Sequence, residues 1–81
     1  MEVIMYKSTD CGACHTVKVL FSNRGVPVIE KNISTDEKAL QELSDIGFQS
    51  VPVIVTSDNS VPPFAGVNID AINEIAEKYT N

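Results

Sequence analysis

Cys11 and Cys14 are the two cysteines of the 81-residue sequence, and they fall in the run Cys11-Gly12-Ala13-Cys14-His15. A bridge closing so short a loop constrains the unfolded chain little, so a structural staple explains the pair poorly. On a helix the two side chains share one face, a single turn apart. Their Cα atoms then lie about 5–6 Å from each other, within the span a disulfide accepts. Such a pair opens and closes with little backbone movement, which is the geometry of thiol–disulfide exchange. In that chemistry the Cys11 thiolate attacks a disulfide sulfur, and Cys14 then attacks the Cys11 sulfur and releases the product. Gly12 and Ala13 are small and leave the Cys11 sulfur accessible.

The reaction needs a thiolate near neutral pH. A helix start supplies one, because unpaired N–H groups and the helix dipole stabilise an anion there. Lys7 and Lys18 add to this effect and Asp10 works weakly against it. The same residues admit other chemistry. C-x-x-C-H is also the attachment signature of c-type haem, but the methionines are Met1 and Met5, the latter in a predicted strand, so a distal ligand is not evident. For zinc, two cysteines and an adjacent histidine leave the fourth ligand unspecified, and no metal is expected. An iron–sulfur cluster bridging two chains needs a further thiol donor. His15 reads as a partly exposed helix residue behind the active turn, close enough to tune Cys14.

The elements that must hold this pair follow from the pattern. Val3-Ile4-Met5-Tyr6 predicts a buried strand. Thr9-Asp10 are placed to cap a helix carrying Ala13, Val17, Leu20, Phe21 and Arg24, with Gly25 as its stop. Val26 to Ile33 predicts a second strand, with Pro27 at its start. Ser34 and Glu37 stand at the offset of a capping box. A helix with Ala39, Leu40, Leu43 and Ile46 on one face follows, ended by Gly47. Val51 to Thr56 predicts a third strand, Ser57-Asp58-Asn59-Ser60 a turn, and Val61 to Phe64 a short edge strand. Asn68 is placed to cap a last helix with Ile69, Ile72, Ile75, Ala76 and Tyr79 on one face. The order β-α-β-α-β-β-α predicts an α/β fold: a parallel opening crossover, a closing hairpin, and a four-stranded mixed sheet with three helices on its two faces.

Composition sets the outer bounds. The length suits one domain over residues 1–81, and the apolar fraction of 43% is ordinary for a folded chain. A net charge of −5 argues against nucleic acid or an anionic membrane as the main partner. No run approaches the ~18 apolar residues of a membrane span, and the N-terminus carries no leader-like pattern. A cytoplasmic monomer is the expectation, and in a reducing compartment a close cysteine pair reads as catalytic or metal-binding.

Three motifs together carry a resemblance across essentially the whole chain. Cys11-Gly12-Ala13-Cys14 after the first strand, Val51-Pro52-Val53 before the third, and Phe64-Ala65-Gly66 before the last helix resemble the glutaredoxin family, of thioredoxin-like fold. Within it, the nearer likeness is to NrdH-type redoxins, whose motif commonly runs C-x-x-C-H. Gly47-Phe48-Gln49-Ser50-Val51-Pro52-Val53-Ile54 resembles their G-[FY]-x-Q-x-P-V-[VI] segment, and Phe64 to Asp70 their W-S-G-F-R-P-D segment. The departures are Phe64 for Trp, Val67 for Phe, Asn68-Ile69 for Arg-Pro, and Gly12-Ala13 for the usual Val-Gln.

The resemblance implies a dithiol–disulfide oxidoreductase with Cys11 as nucleophile and Cys14 as resolving thiol. It implies a cis Val51–Pro52 peptide facing the dithiol, with the Val51 backbone pairing to the bound substrate. Lys7, Gly12, Ala13, Gly66, Val67 and Asn68 complete the implied substrate-binding set. No cofactor is held beyond the Cys11–Cys14 disulfide. Electrons would come from NADPH through thioredoxin reductase and pass to a class Ib ribonucleotide reductase or other protein disulfides. The alternative is a glutathione-dependent glutaredoxin, and one of another class is an iron–sulfur carrier or binding module. Glutathione-using members place two aspartates where this chain has Asn68 and Ile69, and Lys7 is offset by one from their basic contact. The resemblance therefore implies weakened glutathione binding.

Overall fold

A computed structural model describes residues 1–80. Its elements are β1 (Val3–Lys7), α1 (Gly12–Asn23), β2 (Val28–Asn32), α2 (Glu37–Asp45), β3 (Val53–Thr56), β4 (Phe64–Ala65) and α3 (Ile69–Thr80). The strands form one mixed sheet in the order β2-β1-β3-β4. β1 runs parallel to β2, with Met5 opposite Glu30 and Lys7 opposite Asn32. β3 lies antiparallel to both β1 and β4. This is the predicted α/β arrangement.

Alternation along the strands separates two cores. Val3 and Met5 of β1 and Ile54 of β3 join Cys14, Val17 and Phe21 of α1 and Ile72 and Ile75 of α3. Tyr6 and Val53 point to the other side and meet Ala39 and Leu43 of α2. Arg24 ties the two helices of the first face together, its Nε donating to Asn73 Oδ1 at 2.7 Å. Thr56, buried at the end of β3, exchanges hydrogen bonds with the Val61 backbone and closes the approach to β4.

Several boundaries differ from the sequence reading, each for a local reason. β2 starts at Val28, leaving Pro27 outside the ladder it cannot donate to. β3 starts at Val53, and β4 shrinks to Phe64–Ala65, beyond the two prolines. The α2 cap is Asp36, whose carboxylate accepts from Lys38 N and Ala39 N. Ser34 is used elsewhere, since its Oγ accepts from Thr9 N at 3.2 Å. Leu40, Ile46, Ile69 and Tyr79, read as parts of apolar helix faces, lie exposed. The buried stripes are narrower than the sequence pattern.

Candidate active site

Cys11 caps α1. Its backbone is extended, and its Sγ accepts a hydrogen bond from Cys14 N at 3.1 Å. This corrects the assignment of the cap to Thr9-Asp10. Asp10 instead adopts a left-handed conformation with φ of 60°, one that aspartate tolerates better than most side chains. The turn it makes hands the chain from β1 to α1. The loop before Cys11 is pinned from the end of β2, because Asn32 Nδ2 donates to Thr9 Oγ1 and Thr9 N donates to Ser34 Oγ.

Cys11 and Cys14 are joined by a disulfide with Cα atoms 5.2 Å apart. Their surroundings differ. Cys14 is 2% exposed and belongs to the core of the α1–α3 face, while Cys11 is half-buried at its edge. An approaching sulfur can therefore reach Cys11 and not Cys14. Gly12 and Ala13 are exposed in the first turn, and a Cβ built on Gly12 meets nothing within 4 Å. His15 is exposed beside them, on the helix surface where it was expected.

The Val51–Pro52 peptide is cis. Val51 packs against the same core cluster as Cys11, which places both at one end of the sheet. Pro52 is buried, and its carbonyl accepts from Gly66 N at 2.9 Å. Gly66 has φ of 81°, a conformation that favours glycine because it has no Cβ. The Val51 backbone takes part in no hydrogen bond among the described residues. Val67 is exposed, and Asn68 caps α3, its Oδ1 accepting from Ala71 N at 3.1 Å.

A cleft of about 640 Å³ opens on the other side of the disulfide. Both cysteines line it, with Lys7, Asp10, His15, Lys18 and Glu30 as its charged or titratable members. Glu30 joins two lysines there: Oε1 to Lys7 Nζ at 2.8 Å and Oε2 to Lys18 Nζ at 2.9 Å. Hydrogen bonds from Lys7 and then Lys18 hold its carboxyl below the ordinary glutamate value. Sequence reading placed Lys7 and Lys18 near the dithiol but missed Glu30. The parallel register, which sets Glu30 beside Met5 on the α1 side, is what brings it there. Among the described residues, no group of three or more His, Cys, Asp or Glu is placed to hold a metal ion, and no helix is long and apolar enough to cross a membrane.

The glutaredoxin family model matches residues 3–61. The glutaredoxin-like protein NrdH of Escherichia coli strain K12 is 31% identical over 75 residues, covering 93% of this chain and 89% of that protein. The NrdH protein of Salmonella typhimurium strain LT2 is 28% identical over the same extent. The structure of the Escherichia coli NrdH-redoxin, described as having a thioredoxin-like activity profile, superposes with a TM-score of 0.82 at 29% identity. It covers 93% of this chain and 95% of that one. A half-buried cysteine capping a helix, bonded to a buried one a turn inside, sits within the matched region. The chain thus belongs to the glutaredoxin family, as a thiol–disulfide oxidoreductase of the NrdH-redoxin type.

Proposed function

We propose that this one-domain protein is a cytoplasmic electron carrier, reduced by thioredoxin reductase with NADPH and delivering electrons to ribonucleotide reductase or other protein disulfides. In the reduced form the Cys11 thiolate, favoured by the Cys14 N–H and the α1 dipole, attacks a substrate sulfur. A Cys11–substrate bond forms, the substrate S–S bond breaks, and the leaving thiolate takes a proton. Cys14 then loses its proton and attacks the Cys11 sulfur. The Cys11–substrate bond breaks, the second substrate thiol leaves, and two electrons have passed to the substrate. Exposed Gly12, Ala13 and Val67 face the incoming chain, Pro52 and Gly66 shape the wall, and the Val51 backbone pairs with it.

The observation that carries the choice of reductant is that both candidate glutathione contacts are engaged within the chain. Asn68 Oδ1 caps α3 and Lys7 Nζ is held by Glu30. Ile69 adds no polar group. The thioredoxin-like activity profile named for the Escherichia coli NrdH-redoxin points the same way. The test is NADPH oxidation with a protein disulfide, in one mixture with thioredoxin reductase and in another with glutathione and glutathione reductase. Turnover in the first alone is expected. Turnover in the second alone would make the protein a glutathione-dependent glutaredoxin.

A further inference from the structure

Three elements converge on the floor of the dithiol cleft. Lys7 ends β1, Glu30 stands on the neighbouring parallel strand, and Lys18 lies on α1 one turn beyond Cys14. Each carboxylate oxygen of Glu30 serves a different lysine. The three side chains are a quarter to a half exposed, so they meet whatever enters the cleft. Without Glu30 the cleft would present two ammonium groups next to Cys11, a strong attraction for any small disulfide that carries carboxylates. With Glu30 in place each lysine already has a carboxylate, and an incoming one also meets the Glu30 charge. Asp10, which also lines the cleft, acts in the same sense.

We propose that Glu30 is a specificity-determining residue: it occupies Lys7 and Lys18 from within and so turns the dithiol away from small anionic disulfides, glutathione disulfide among them. This rests on Cys11 being the attacking thiol, and it deepens the preference for protein disulfides given above. Glu30 touches no reacting atom; it acts through the two lysines. The two-electron exchange is the one already written, with the small disulfide as oxidant and two small thiols as products. Charge near a site changes encounter rates more than it changes the bond-making step, and does so in a salt-dependent way.

The experiment is single-turnover oxidation of the reduced protein by three small disulfides: hydroxyethyl disulfide (neutral), dithiodiglycolate (anionic) and cystamine (cationic), with glutathione disulfide as a fourth. Dividing each rate by that for the neutral probe removes any change in thiolate reactivity. Glu30→Gln is expected to raise the anionic-to-neutral ratio about three- to tenfold at low salt and to lower the cationic one. Adding Lys18→Met to Glu30→Gln should return the ratio toward the native value. At an ionic strength of about 1 M, where the screening length is near 3 Å, the gain should largely vanish. Should Glu30→Gln not fold, Lys18→Met alone, with Glu30 kept, must lower the anionic ratio. Ratios unchanged in folded Glu30→Gln would overturn the proposal alone. A native protein that reduces none of the probes would overturn the Cys11 assignment, and this inference with it.

Discussion

The two faces of the sheet use the same pair of side-chain types to different ends. On the α2 face, Glu42 Oε1 accepts from Tyr6 Oη at 2.9 Å and from Lys31 Nζ at 2.7 Å. The Lys31 ammonium also lies 5.8 Å from the centre of the Tyr6 ring. Burial, and then the Glu42 carboxylate, push the Tyr6 phenol above its ordinary value. This network sits over Ala39, Leu43 and Val53 and closes that side. On the α1 face, Glu30 divides its oxygens between two lysines at an open cleft that both cysteines line. A lysine–carboxylate contact over a packed core fastens an element. The same contact over a cleft sets the charge that a visitor meets. The sheet is thus a structural wall on one side and a reactive surface on the other.

The largest expected effects break this comparison from its reactive side. Cys11→Ser should bring disulfide reduction down to background in an NADPH-coupled assay, because the accessible, half-buried attacking sulfur is gone. Cys14→Ser should instead stall as a mixed disulfide on Cys11, detectable as an added mass that reductant removes. Full turnover by Cys11→Ser would show that the Cys11 sulfur is not the nucleophile. The counterpart on the closed side is Leu43→Ala. Leu43 is 1% exposed, and truncating such a leucine costs about 2–5 kcal/mol. The urea midpoint should fall accordingly, while the rate per folded molecule stays near native. A lost rate in folded Leu43→Ala would mean that the two faces are coupled.

The reactive side was legible largely because its signals are local. Cys11 and Cys14 announce themselves by spacing, and the strand–helix handover that leaves one half-buried and buries the other fully is a pattern of a few residues. Asn68 was placed as the α3 cap by the same local logic. Glu30 could not be read in that way. Its two partners are 23 and 12 residues away, and it takes the β1–β2 register for Lys7 and the packing of α1 on that strand pair for Lys18 to bring them together. Ser34 shows the opposite failure: a correct local rule overridden by tertiary structure. Ser34 and Glu37 satisfy the capping-box spacing, yet Ser34 Oγ is taken by Thr9 N and its own N–H by Asn32 Oδ1. The loop that positions Cys11 has claimed the serine, and Asp36 caps α2 instead.

That reassignment is testable at a smaller scale. Asp36→Ala removes the acceptor for Lys38 N and Ala39 N, and losing such a cap costs about 1 kcal/mol. Its effect should appear in stability alone. Ser34→Ala should instead loosen the loop before Cys11, with a smaller change in urea midpoint and a measurable change in rate. If Ser34→Ala proves the more destabilising and leaves the rate untouched, the capping box was the right reading after all.

The smallest effects come from acid. Glu30 is held below its ordinary value by Lys7 and Lys18, and Glu42 by Lys31 and then Tyr6. A carboxyl with a lower value in the folded than in the unfolded chain adds stability that is present above the unfolded value, about 4.3. That stability is lost as pH falls through the folded value. Urea midpoints should therefore be flat near neutral pH and decline below about pH 4.5. Glu30→Gln and Glu42→Gln should each flatten part of the decline. Both groups are partly solvated, so salt should shrink each contribution.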